Sequence, residues 1–126
     1  MKILSLTLGP VETNTYIVAD STTNEAIVID PSWDGATIAQ TAEEQGWQIK
    51  AIWLTHAHFD HIGGIADLVK SLPEPVPVYL HPDDDELYRE GGSAARFGIH
   101  IEPGPEPLPL EHGQILQVGS YTFETR

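Results

Sequence analysis

The 126-residue sequence predicts an α/β fold in one domain, 1–126, on two observations. The first half reads as three short strands, one amphipathic helix and a fourth strand, an order that places a βαβ unit after an antiparallel meander. The fourth apolar run, Ala51-Ile52-Trp53-Leu54, is followed at once by Thr55-His56-Ala57-His58-Phe59-Asp60-His61-Ile62-Gly63-Gly64. In open α/β sheets ligand sites gather beyond the carboxyl ends of the strands, which is where this stretch falls.

The elements follow in order. Lys2–Leu8 alternates Leu4, Leu6 and Leu8 against Ser5 and Thr7, a half-buried strand that Gly9-Pro10 breaks. Thr15–Ala19 is rich in β-branched and aromatic residues, and the polar turn Asp20–Asn24 leads to a third strand, Ala26–Ile29. Asp30 closes that strand, and Pro31 keeps it out of the helical region. Its position suggests a turn or cap residue. Asp34 is placed to cap a helix over 35–45 with Ile38, Ala39 and Ala42 on one face, and Gly46 is its natural stop. Ile65, Leu68, Val69 and Leu72 recur at helical spacing before Pro73. Pro77–Leu80 is a short strand, and Asp83-Asp84-Asp85-Glu86 supplies caps and first-turn acids for a short helix through about Glu90. Residues 91–109 read as a long loop, with alternate prolines at 103, 105, 107 and 109 favouring an extended path. Ile115–Val118 and Tyr121–Thr125 form a hairpin across Gly119-Ser120.

The chemistry concentrates in the stretch behind the fourth strand. Three of the six histidines, together with one aspartate, occupy positions 56–61. At strand spacing His56 and His58 point to one side, and Asp60 and His61 follow in the turn before the glycines. Neutral imidazole nitrogens and a carboxylate oxygen are the donors that zinc and similar divalent metals take. One histidine here would be a capping residue; four ligand-type side chains in six positions point to a metal. His81, His100 and His112 stand alone and are expected to cap or to face solvent. The acid run lacks the loop spacing of an oxygen-only cation site.

The pattern T-H-x-H-x-D-H resembles the signature of the metallo-β-lactamase superfamily, and T-H-A-H-F-D-H-I-G-G is similar to its glyoxalase II-like branch. The resemblance runs from the Asn14-Thr15-Tyr16 region through Val28-Ile29-Asp30-Pro31 to the end of the chain. It implies an αββα sandwich of which this is the N-terminal portion, with His56 and His58 on one metal and Asp60 and His61 on a second. It also places Asp30 close to the ligand loop. The implied cofactor is zinc, with iron or manganese as alternatives. The implied reaction is hydrolysis of a small molecule, most plausibly a thioester, by metal-activated water that Asp60 helps to orient. Lactonases, β-lactamases and phosphodiesterases share close variants of the motif. The family completes its site with a later histidine, a bridging aspartate and a final histidine, none of which this chain reaches. A truncated, catalytically incomplete fragment or a non-enzymatic metal-binding module is therefore the alternative.

Composition narrows the partners. A formal charge of −13 with six Lys and Arg residues disfavours nucleic acid, whose binding rests on cationic side chains. No apolar run reaches the ~18 residues of a membrane span, and no signal-peptide pattern opens the chain. A cytoplasmic address is expected. The absence of cysteine excludes disulfides and thiolate catalysis. The strand Tyr121–Thr125 would leave an open sheet edge, a route to self-association.

Overall fold

A computed structural model describes residues 1–10 and 12–125. Eight strands and four α-helices follow in the order β1 (Lys2–Leu8), β2 (Thr13–Asp20), β3 (Glu25–Ile29), α1 (Gly35–Glu44), β4 (Gln48–Trp53), α2 (Phe59–Ile62), α3 (Ile65–Ser71), β5 (Val78–Leu80), α4 (Asp85–Arg89), β6 (Leu108–Pro109), β7 (Ile115–Val118) and β8 (Tyr121–Glu124). The first six strands make one sheet in sequence order, antiparallel from β1 to β3 and parallel from β3 to β6. The expected meander and βαβ unit are both present.

Strand alternation divides the apolar residues between two layers. Ile17, Ala19, Ala26, Val28 and Ile52 face α1 and α3, whose Ile38, Ile65 and Leu68 close a fully buried core. Each such Ile, Val or Leu side chain removed from water contributes about 1.5–3 kcal/mol. The opposite face, carrying Val18, Ile27 and Ala51, is covered by Val118 and Phe123 of the β7–β8 hairpin. Phe123 meets Trp53 edge-on at 5.4 Å between ring centres. A register shift between Ala26 and Ile27 leaves Lys50 out of the β3–β4 pairing. It brings Ile49 and Ile52, three residues apart, into the same layer.

Three local expectations are corrected. Asp34 occupies the N-cap position of α1 in a left-handed conformation (φ 47°), but its carboxylate makes no cap bond and accepts from the Thr37 hydroxyl at 2.7 Å. The acid run likewise supplies no side-chain cap to α4. The turn of 3-10 helix before α4, Pro82–Asp84, is capped instead by His81, whose Nδ1 accepts from the Asp83 N–H. Residues 91–109 contain a 3-10 turn, Ala94–Phe97, and the edge strand β6. Pro109 is tolerated because β6 lies at the sheet edge and Leu110 N–H reaches Leu80 O instead. The proline-rich strap is tied down by the Tyr88 hydroxyl, which donates to Pro105 O at 2.8 Å, and by Arg89 on Glu106. Burial, with Glu106 nearby, pushes the Tyr88 phenol up to about 12. Among the described residues no helix is long and apolar enough to cross a membrane.

The hairpin is anchored by a buried carboxylate. Asp20, at the end of β2, accepts from the Ser120 hydroxyl at 2.6 Å, the Ser120 N–H at 2.8 Å and the Thr22 N–H at 2.8 Å. These donors, the Ser120 hydroxyl foremost, hold its carboxyl well below the ordinary carboxylate range. A depressed folded-state value means stabilisation that is complete above the unfolded value of about 3.9 and is lost as the pH falls toward the folded one. The melting temperature is therefore expected to fall below about pH 4 in the wild type, with a shallower fall in Asp20→Asn, as read by circular dichroism across pH.

Candidate metal centre

The site begins where β4 stops. Trp53 O accepts from Asp30 N–H, and Leu54 N–H donates to Tyr79 O, so the ends of β3, β4 and β5 are level. Residues 54–58 then run without regular structure into the single turn of α2. Asp60 and His61 thus lie on a helical turn rather than in the open turn expected from sequence, with His61 N–H on His58 O. Behind this turn Gly64 packs against the Pro31–Trp33 backbone and donates to Pro31 O at 2.8 Å; a Cβ there would lie 2.9 Å from Trp33 C. With no side chains in the way, Gly63 and Gly64 let that connection pack directly on the turn.

Asp30 organises the cluster. It is buried and adopts a left-handed backbone conformation, φ 52°, rare for a residue with a side chain. Its Oδ1 accepts from Thr55 N–H at 2.8 Å, and its Oδ2 accepts from the Thr55 hydroxyl at 2.5 Å. The same Oδ2 lies 2.9 Å from His61 Nδ1. A carboxylate on Nδ1 favours the tautomer that leaves the Nε2 lone pair free. By this contact Asp30 lies against the ring of a candidate ligand histidine.

The sequence-expected side chains come together. His61 Nε2 is 3.5 Å from Asp60 Oδ2, and Thr13 donates its hydroxyl to that same oxygen at 3.1 Å. The Nδ1 atoms of His56 and His58 face each other at 3.0 Å, and the His56 ring lies 3.8 Å from that of His61. Burial pushes the His56 imidazole below its ordinary value, and His61 and His58 push the same way against Asp30 and Asp60. The neutral form, which has a lone pair to offer, is favoured. His81, His100 and His112 stay outside the cluster: His81 caps a turn, His100 lies beside Glu102, and His112 is exposed. Thr13 and Thr55 were not singled out from the sequence. Thr55 carried a signal as the first residue of T-H-x-H, whereas Thr13 is brought in only because β2 begins beside α2.

Residues 8–126 match the family profile described as the metallo-beta-lactamase superfamily. The chain belongs to that superfamily. It is 31% identical over 128 residues to a probable metallo-hydrolase, YqgX, of Bacillus subtilis (strain 168), covering 99% of this chain and 59% of that protein. It is 32% identical over 102 residues to a hydroxyacylglutathione hydrolase of Aliivibrio fischeri (strain MJ11), covering 70% of this chain and 40% of that protein. Among solved structures, TTHA1623 in a di-iron-bound form superposes with a TM-score of 0.77 at 41% identity, covering 90% of this chain and 56% of that one. The chain thus spans about three fifths of the length of YqgX. The metallo-β-lactamase superfamily comprises metal-dependent hydrolases, and its fold is the one seen here.

The donors present fit a divalent metal in two pairs. Two ligands held about 2.0–2.2 Å from one tetrahedral ion lie roughly 3.3–3.6 Å apart. The His61–Asp60 separation falls in that range, and the His56–His58 separation is a few tenths of an ångström short of it. Among the described residues no group of three or more His, Asp or Glu side chains is disposed to hold an ion. Pairs, rather than a closed set, are what this chain offers.

Removing the Asp30 carboxylate leaves the Thr55 N–H and hydroxyl and the His61 ring without their partner. Asp30→Ala is expected to lose about 3 kcal/mol of stability in urea denaturation. The His61 imidazole is expected to change tautomer in nitrogen NMR of the metal-free chain.

Proposed function

We propose that this chain carries the ligands of a two-metal hydrolase centre, with His56 and His58 on one metal and Asp60 and His61 on the other. The observation that carries the proposal is the convergence of two donor pairs at the carboxyl end of β4, Asp60–His61 at metal-bite spacing and His56–His58 a few tenths of an ångström inside it. The bracing of the second pair by Asp30 and Thr13 supports it. Zinc is the first choice on donor chemistry, with iron or manganese as alternatives; a di-iron form of a similar structure favours keeping iron in view.

The reaction we assign is hydrolysis of a small-molecule thioester in a cytoplasmic setting. The likeness to a hydroxyacylglutathione hydrolase and the T-H-A-H-F-D-H-I-G-G stretch support it. A divalent metal supplies acidified water and polarises a carbonyl. The chain's residues do the rest. His56, whose neutral form burial favours, and His58 present imidazole nitrogens. Asp30 holds the Nδ1 side of His61 and leaves Nε2 facing Asp60. Asp60, steadied by Thr13, both binds and orients the attacking water as proton acceptor.

A second proposal follows from the donors coming in twos. A catalytic zinc takes three protein ligands with an open position, so the isolated 126-residue chain is expected to bind metal partially and to turn over poorly. Thioesterase turnover with added zinc would be compared between this chain, a chain extended to the full length of its relatives, and His58→Ala in each. The extended chain is expected to be active, and His58→Ala is expected to abolish that activity. Turnover by the short chain that disappears in His58→Ala would show that two donors per metal suffice, and an extended chain indifferent to His58→Ala would refute the ligand assignment.

A further inference from the structure

Residues 54–58 lie outside any strand or helix, so no regular ladder fixes the peptide planes that aim His56 and His58. Something else must hold them. Ala57, between the two histidines, is fully buried, and its N–H donates to Asp84 Oδ2 at 3.1 Å. Phe59 N–H, on the far side of His58, donates to Gly92 O at 2.9 Å. The two bonded N–H groups belong to the peptide units that immediately follow His56 and His58. Both acceptors come from one segment, 84–92, which contains α4.

The topology explains the contact. β5 pairs in parallel with β4, so the chain leaving β5 runs beside the chain leaving β4. Gly92 lies so close to the ligand loop that a Cβ there would be 2.3 Å from Phe59 N and 2.5 Å from Ala57 O. The backbones meet there in direct contact, and Ala57 is fully buried. A buried N–H then needs a protein acceptor, and a carboxylate gives a charge-assisted bond. Asp84 occupies the N-cap position of α4, where such a side chain ordinarily bonds its own helix, yet it makes no cap bond and reaches across 27 positions of sequence. Its neighbour Asp83 has a side chain 89% exposed. Of the acids in the run, Asp84 is turned to the ligand loop.

We propose that Asp84 is a positioning residue for the metal-ligand loop, holding the peptide between His56 and Ala57 so that the two imidazoles share one pocket. The proposal rests on the assignment of His56 and His58 as ligands, and it deepens that assignment. Asp84 itself touches neither metal nor substrate; it acts through the backbone.

The test uses the whole chain in four variants: Asp84→Ser, which can still cap α4 but is too short to reach Ala57; Asp84→Ala; Asp84→Asn, which keeps an acceptor oxygen; and Asp83→Ala as the neighbouring control. In the metal-free chain, hydrogen exchange at the Ala57 amide is expected to be protected in the wild type, in Asp84→Asn and in Asp83→Ala, and accelerated in Asp84→Ser and Asp84→Ala. By calorimetric titration with zinc alone, Asp84→Ser and Asp84→Ala are expected to bind roughly 10–100-fold more weakly than wild type, with Asp84→Asn within about threefold of it. Should Asp84→Ala fail to fold, Asp84→Ser decides. An unprotected Ala57 amide in the wild type overturns the proposal. So does loss of affinity in Asp84→Asn equal to that in Asp84→Ser, which would assign the effect to charge. Faster exchange at Ala57 with unchanged zinc affinity overturns the positioning role while leaving the bond. A wild-type chain that takes up no zinc defeats the ligand assignment, and the positioning role with it, whereas the exchange experiment still reports the contact by itself.

Discussion

One buried carboxylate joins the parts of the site that lie far apart in sequence. Asp30 ends β3, its Oδ1 and Oδ2 take the Thr55 N–H and hydroxyl beyond β4, and Oδ2 also meets His61 on α2. Its left-handed backbone costs on the order of 1 kcal/mol. Hydrogen bonds to a charged group contribute about 1.5–3 kcal/mol each, so the contacts outweigh the strain. The same geometry aims the Asp30 side chain back across the sheet end, where an extended residue would have pointed into one face or the other. Asp30 thereby ties both the start of the ligand loop, at Thr55, and its helical end, at His61, to the end of β3.

Much of this was legible beforehand because it is written in short-range patterns. Leu4, Leu6 and Leu8 alternate, Ile65, Leu68, Val69 and Leu72 recur at helical spacing, and the histidines cluster within one stretch. The structure brings His56, His58, Asp60 and His61 to one place, as expected from spacing and resemblance together. What escaped depends on pairing across the fold. β6 is two residues long and contains a proline, so no alternation announces it; only its registry with Tyr79 and Leu80 makes it a strand. Thr13 meets Asp60 because β2 begins beside the ligand loop, and nothing local to Thr13 foretells that. Asp34 shows the reverse failure. Its residue type suited a cap, but the left-handed backbone turned the carboxylate to the Thr37 hydroxyl.

The two faces of the sheet are unequally covered. α1 and α3 close one side around a continuous core, whereas the hairpin shields only the middle of the other. Ile3, Tyr16, Leu108 and Ile115 remain exposed. The chain spans about three fifths of YqgX, whose further residues have no counterpart among the ones described here. The register of β1 to β4 needs none of that additional length, since its pairs are formed within residues 2–53.

The Asp20–Ser120 contact joins residues 100 apart in sequence, whereas the pairings from β1 to β4 close much shorter segments. Loop-closure entropy rises with the length of chain enclosed, and contacts between distant residues lower folding rates. The meander and the βαβ unit can therefore form on local contacts, while seating of the hairpin must wait for the chain between to be ordered. Asp20 is in this sense a late latch: the strand that presents it is paired within residues 2–29, while its partner arrives with a hairpin that Val118 and Phe123 must also seat.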